Sequence, residues 1–402
     1  MNKVKRLLIL GAGPEQCIAI NEAKDLGYKV FIADGNSDAM GLKDNENSYV
    51  TDISNKTEVL KLSKKLNIDG IFCHGVEIPE TVAYVGNYLG LPCLKEKIAK
   101  RCTDKIERIS FLKENNIPIP KFGIVSSVSD FLKLNIEFPC ILKPIDSSGA
   151  RGVIQLNESK DFDHAFSIAL SFSKQKKVLV EQKLSGPELS TESIIHDGQI
   201  ITFAVADRNY DNSSIFSPYF VEDGINFPSI LDKKLIEKSV QLVEKTIKTL
   251  GINFGSAKGD LIIHQGEPHI LEMACRSSGG WFSAGSIPAA TGANVLRPLI
   301  QMSVGDKPDL SCVKHKFSKG CAQRYLIPKE EGILNDIKGI DEAINTEGIY
   351  SYDLFLPKIG ERIFKSTNHS ERYAQFIFIG TSREEAIFNA EKALNNIELL
   401  VS

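Results

Sequence analysis

Alternation dominates the first hundred residues. VKRLLIL, YKVFIAD and IDGIFCHG are short and almost wholly apolar, and between them lie the amphipathic stretches PEQCIAINEAKDLG, TEVLKLSKKLN and ETVAYVGNYLG. A strand that is apolar on both faces has no side to give to water. These runs therefore predict a parallel sheet covered by helices on both faces, a Rossmann-like βαβαβα unit over residues 1–100 that closes at Leu91-Pro92. A chain of 402 residues is too long for that unit alone and implies two or three domains.

From Cys102 the helical stretch TDKIERISFLKENN runs into IPIPKFGIV, whose prolines end the helix and set the first boundary. Mixed strands and helices follow, giving an α+β unit over 101–315 that contains the long helix LDKKLIEKSVQLVEKTIKTLG. The strand-like CAQRYLIP, YSYDLFLP and QFIFIG and the closing helix SREEAIFNAEKALNNIELL predict a small terminal α+β domain over 316–402. The fold class is thus α/β and α+β, multidomain.

Hydrophobic residues at 42% and charged residues at 25% are those of a folded globular protein, and a net charge of −3 provides no basic field for nucleic acid. The apolar run Leu7–Leu10 stops at Gly11, short of a signal core or a membrane span, so a cytoplasmic protein without membrane contact is expected. Eight scattered cysteines without a CxxC pair read as reduced thiols. Seven histidines without HxxxH or HExxH spacing argue against zinc and leave oxygen as the ligand of any metal.

Four segments carry candidate chemistry. LLILGAGPEQ with VFIAD places Gly11, Gly13 and Asp34 like a dinucleotide fingerprint, but Gln16 stands at the third glycine position, and a substrate-side Rossmann-like domain is the other reading. In FPCILKPIDSSGARGVIQL, Lys143 ends a strand, and Ser147, Ser148, Gly149 and Gly152 form an NH-rich loop fit to cradle phosphate. An ordinary hairpin with a glycine turn would look the same. VLVEQKLSGPELS offers Glu181 and Glu188 to an adenine or a ribose, or simply to solvent.

GSAKGDLIIHQGEPHILEMACRSSGG is the most specific: a hairpin turning at Gly266 brings Asp260 and Glu272 together as hard oxygen ligands for Mg²⁺. Arg276 then aims a guanidinium at a transferring phosphoryl group, and Lys258, on the same strand face as Asp260, orients a substrate carboxylate. The alternatives are a structural salt-bridge cluster and a surface lysine.

In this order and spacing the segments resemble the ATP-grasp superfamily, over nearly the whole chain. The resemblance implies a preceding domain over 1–100, the grasp over 101–315 with its lid subdomain at about 115–185, and a C-terminal domain of the biotin carboxylase and purine-synthesis branch over 316–402. It implies that Lys105 and Lys143 contact ATP phosphates and that Ser147–Gly152 form the lid loop. Glu181, Gln182 and Leu184 become the adenine hinge, Glu188 meets the ribose, Asp260 and Glu272 hold Mg²⁺, and Arg276 stabilises an acyl phosphate. One position departs: Ala274 stands where the family's metal-binding asparagine is usual, which leaves the number of Mg²⁺ ions open, with a water or a nearby hydroxyl such as Ser277 to fill the gap.

SGG, W-F and IPAATGAN look most like carboxylate–amine ligases of small, amino-acid-like substrates. The implied reaction is ATP-dependent amide or peptide-like bond formation through an acyl phosphate, releasing ADP and phosphate, in a chain whose relatives suggest a homodimer. The GAGPEQ turn, His74 to Glu77 and the SSGGWF loop are the expected substrate pocket, with Glu77 binding an amine or capping a helix. Other readings are a bicarbonate-activating carboxylase of the purine-synthesis type, a catalytically inactive ATP-binding protein and a dinucleotide oxidoreductase.

Overall fold

The computed structural model describes residues 3–43 and 45–402. Strands β1 (Arg6–Leu10), β2 (Lys29–Asp34), β3 (Ser48–Val50) and β4 (Gly70–Cys73) form a parallel sheet in the order β3-β2-β1-β4. Its two faces bury alternate residues. Leu8, Leu10, Phe31 and Ala33 share a core with Val59 and Leu66 of helix Lys56–Leu66 and Val85 of helix Pro79–Leu89. Leu7, Ile9, Val30 and Ile32 share another with Phe282 and with Leu296, Leu299 and Ile300 of helix Leu296–Ser303. Period-two alternation with both faces covered explains the apolar runs. It also joins the amino-terminal unit to residues far along the chain.

Strands β5 (Phe122–Val125), β6 (Cys140–Pro144), β7 (Ile154–Leu156) and β8 (Val178–Gln182) form an antiparallel sheet in the order β5-β8-β6-β7. Cys140, Leu142, Val178 and Val180 pack under helix Phe162–Ser171. The opposite face bears Lys143 and Glu181, together with Leu179, which packs on Ile109 of helix Lys105–Glu114.

The remaining strands are β9 (Glu188–His196), β10 (Gln199–Asn209), β11 (Gly224–Phe227), β12 (Gly255–His264), β13 (Glu267–Ala274), β14 (Gly320–Leu326), β15 (Gly332–Lys338), β16 (Ile349–Leu354), β17 (Arg362–Ile363), β18 (Ala374–Gly380) and β19 (Glu398–Val401). Eight of them make one large sheet, in the order β13-β12-β9-β10-β11-β14-β18-β16. Strands β14, β16 and β18 thus extend the central sheet, and only β15, β17 and β19 form a separate one. Every residue of β14 is buried, so it needs a neighbour on each side, and β11 and β18 supply them.

Helix Lys233–Leu250 backs the β12–β13 hairpin. Asp232 caps it by accepting from Leu235 N at 2.9 Å, and Gly251 ends it in the left-handed conformation, φ 81°. It buries Leu242, Val243, Ile247 and Leu250 against Ala257, Leu261, Ile270 and Met273, contacts worth roughly 1.5–3 kcal/mol for each large side chain. The hairpin's apolar face is thereby fixed inward and its charged face is turned the other way. No helix among the described residues is long and apolar enough to cross a membrane.

Candidate active site

The hairpin turns at Gln265 and Gly266, both left-handed (φ 52° and 79°), with His264 paired to Glu267, as a two-residue turn matched to strand twist requires. From there the ladder runs evenly to Leu261 opposite Ile270, then skips Leu271 so that Asp260 faces Glu272. The turn is centred half a residue before Gly266, not on it, so symmetry alone would set Asp260 against Leu271. The one-residue bulge is what puts both carboxylates on one face.

Around that pair the chain gathers cations. Lys258 touches Asp260 Oδ2, which also forms an ion pair with Arg208 Nη1 at 2.9 Å, while Asp260 Oδ1 accepts from Ser190 Oγ at 2.8 Å. Glu272 Oε1 accepts from Arg108 Nη2 at 3.3 Å. Burial would raise the Asp260 carboxyl, but Lys258 and Arg208 outweigh it and hold it below the usual carboxylate range. At Glu272 burial is likewise overcome, by Arg108 first and then Lys258, Lys105 and Arg276, and the carboxyl sits well below its ordinary value. Both groups are anionic throughout the neutral range.

Lys105 opens its helix beside the Asp104 cap and donates to the Ser147 carbonyl, which ties the grasp core to the lid loop. Burial, with Arg108 and Lys143 adding to it against Glu272, pushes its ammonium below the ordinary lysine value. Lys143 pairs with Glu181 diagonally across β6 and β8. The loop between β6 and β7 carries three left-handed residues, Gly149, Ala150 and Gly152, with the Ser148 hydroxyl accepting from Arg151. Gly149 O accepts from His369 N at 3.0 Å, so the carboxy-terminal region also touches the lid. Gln182 ends β8, Leu184 is buried in the connector, and Glu188 starts β9 3.8 Å from Arg208. Burial raises the Glu188 carboxyl, with Arg208 opposing.

Arg276 points at the amino-terminal unit: its Nε and Nη2 both donate to Glu77 Oε2, the former at 2.7 Å, and Nη1 donates to Ser277 O at 3.1 Å. Glu77 therefore binds an arginine rather than capping helix Pro79–Leu89. Next to it His74 Nδ1 lies 2.8 Å from Ser277 Oγ, and Glu15 accepts from Gly280 N and Trp281 N, each at 3.0 Å. The Ser277 hydroxyl is thus committed to His74. At the fingerprint-like turn, Asp34 accepts from Ala12 N at 2.7 Å and from Asn36 N at 2.8 Å, closing its own loop, and Gln16 donates to His74 O at 3.0 Å.

Several functional-looking groups escaped sequence reading. Arg108 lies one turn beyond Lys105 on the same helix face, a spacing that could have suggested it. Arg208 and Glu222, 3.2 Å apart, come from β10 and from the segment before β11, and Glu192 is a fully buried carboxylate on β9. Glu192 accepts from Ser278 N at 3.0 Å and Ser283 Oγ at 2.7 Å, and burial raises its pKa. Their only sequence mark is a charge inside an otherwise strand-like run.

Two opposed carboxylates ringed by Lys258, Arg208 and Arg108, with Lys105 tied to the glycine-rich β6–β7 loop, make a cationic and hard-oxygen surround of the kind a polyphosphate nucleotide requires. Hard carboxylate oxygens beside a phosphate-binding wall also fit Mg²⁺, which shares phosphate and water oxygens. Residues 102–280 match the ATP-grasp domain, and residues 324–402 match the L-amino acid ligase C-terminal domain 2. A formate-dependent phosphoribosylglycinamide formyltransferase of Sulfurisphaera tokodaii is 23% identical over 97% of this chain and 96% of its own. Among solved structures, an L-amino acid ligase from Bacillus licheniformis superposes with a TM-score of 0.85 at 18% identity, and a phosphoribosylglycinamide synthetase from Anaerococcus prevotii with 0.75 at 22%, both over the full length of each chain.

Residues 102–280 are thus an ATP-grasp domain, followed by an L-amino acid ligase C-terminal domain. The named relatives and structural neighbours are ATP-grasp enzymes, and some of those neighbours were solved with MgADP or ATP.

Proposed function

We propose that the protein joins a small amino-acid-like carboxylate to an amine, making an amide or peptide-like bond through an acyl phosphate and releasing ADP and phosphate. The observation that carries this is the Arg276–Glu77 pair. It sets a guanidinium suited to an acyl phosphate and a carboxylate suited to an ammonium at the seam between the grasp sheet and the amino-terminal unit. The match of residues 324–402 to an L-amino acid ligase domain supports the substrate class.

A carboxylate is a poor electrophile because oxide would have to leave. Its oxygen therefore first takes the γ-phosphoryl group of ATP, and ADP departs. The amine nitrogen then attacks the acyl carbon, phosphate leaves and the nitrogen gives up a proton. Lys105 and Lys143 neutralise phosphate charge in the first step. Arg276 steadies the acyl phosphate and the oxyanion of the second, and the lid excludes water that would hydrolyse the intermediate. Glu181, Gln182 and Leu184 line the adenine side, Glu188 the ribose side, and the Ser147–Gly152 loop the phosphates. Asp260 and Glu272 would hold Mg²⁺, which supplies further neutralisation of the polyphosphate.

Mass spectrometry of the protein with ATP, Mg²⁺ and pooled amino acids, with and without bicarbonate, tests this. The expected result is a product equal to two pool members minus water, appearing with ADP. ADP release that requires bicarbonate and yields no condensed product would replace the proposal with a carboxylase.

A further inference from the structure

Asp260 and Glu272 face each other, yet they are unequal as ligands. A carboxylate offers about four lone-pair sites. On Asp260, Lys258 and Ser190 each occupy one of them, Arg208 Nη1 stands 2.9 Å from Oδ2, and the side chain is only 4% exposed. Glu272 has one contact, Arg108, and is 44% exposed. Directly opposite Lys258 in the ladder is Ala274, whose methyl group ligates nothing. Among the described residues no three Asp, Glu, His or Cys side chains converge as a metal cluster. Two divalent ions held about 3.5–4 Å apart need bridging carboxylates and further oxygen ligands for each. Here one carboxylate is largely engaged, and an ammonium stands on the same strand face beside it.

We propose that this site takes a single divalent cation, held chiefly by Glu272, and that the Lys258 ammonium, seated on Asp260 beside Ala274, replaces a second one. Lys258 then faces the terminal phosphates of the nucleotide as a built-in cation, and not the substrate carboxylate. The inference rests on the ATP-dependent ligase reading and deepens it. It also accounts for lysine and alanine standing opposite one another: an oxygen ligand at 274 would serve no ion.

Mn²⁺ counting tests this on the intact chain. The protein is titrated with Mn²⁺ in the presence of an equimolar β,γ-methylene analogue of ATP, and the free-ion electron paramagnetic resonance signal reports how many ions are bound. The unaltered chain should bind one Mn²⁺ with an unbroadened spectrum, and Lys258→Arg should do the same. The double variant Lys258→Ala/Ala274→Asn should bind two, with spin–spin broadening from the pair. Two ions in the unaltered chain would overturn the proposal without recourse to any variant, and one ion in both the unaltered chain and the double variant would overturn it too. Analogue affinity measured in the same titration reports on nucleotide binding separately, so a failure of the ligase reading is distinguishable from a failure of the metal count.

Discussion

Replacing Arg276 by alanine separates catalysis from stability, because the structure sets different magnitudes for the two. The side chain donates twice to Glu77 and once to a backbone carbonyl, and Glu77 is 36% exposed. Once freed, Glu77 can rehydrate, so the penalty of about 3–5 kcal/mol for stranding a buried charge does not apply. The loss should be that of an accessible pair, at most about 1 kcal/mol. Catalysis loses more. A donor aimed at developing negative charge contributes about 2.7–4 kcal/mol, so kcat should fall by about 10² to 10³. ATP affinity should hardly change, since on the proposed mechanism Lys105 and Lys143 meet the phosphates.

The assay is ADP release at saturating ATP, with the substrate pair identified by mass spectrometry, alongside thermal unfolding and nucleotide titration of the same preparation. Glu77→Gln is the companion variant: it keeps the arginine but loosens its orientation and should cost about tenfold, the lower part of the range for a positioning defect. A kcat within threefold of the unaltered protein would refute the assigned role of Arg276. So would a loss of ATP affinity as large as the loss of kcat.

Glu272→Gln should abolish turnover and lower the melting temperature modestly, because the carboxylate is partly exposed but offsets Arg108, Lys258, Lys105 and Arg276; substantial ADP formation by this variant would remove Glu272 from the metal site. Burial, aided by Arg108 and Lys143, lowers the pKa of Lys105, so kcat/KM for ATP should decline on the alkaline side at a pH below the ordinary lysine value of 10.5. Lys105→Arg should move that limb upward, and an unmoved limb would assign it to another group. Gly186 has φ 144°, and a Cβ there would lie 1.8 Å from Ile263 O, in backbone that cannot yield cheaply. Gly186→Ala should destabilise the protein by about 2 kcal/mol or more, visible as a lowered denaturation midpoint.

Much of the β12–β13 geometry was legible because a hairpin is local. A two-residue turn and alternating strands bring Asp260 near Glu272 from sequence distance alone. Even so, the face they share depends on the bulge at Leu271, which no local preference announces. The loop between β6 and β7 was legible for a similar reason, since a glycine-rich stretch after a buried strand needs left-handed backbone, and Gly149 and Gly152 adopt it. Arg208 was not legible. It reaches Asp260 only because β9 lies between β10 and β12, a strand order set by packing over the whole sheet.

By itself the sequence determined the local elements: the apolar runs of the first sheet, the capped helix Lys233–Leu250, the β12–β13 hairpin and the residue types that chemistry on a polyphosphate needs. These follow from periodicity and turn stereochemistry, which act over a few residues. Only the tertiary structure decided that Glu77 would hold Arg276 across 199 positions, that Ser277 would be spent on His74, and that Arg208 would settle on Asp260. Those contacts join segments with no local preference for one another. They exist because strand order within the central sheet, and the apolar core it shares with the amino-terminal sheet, bring these polar groups together.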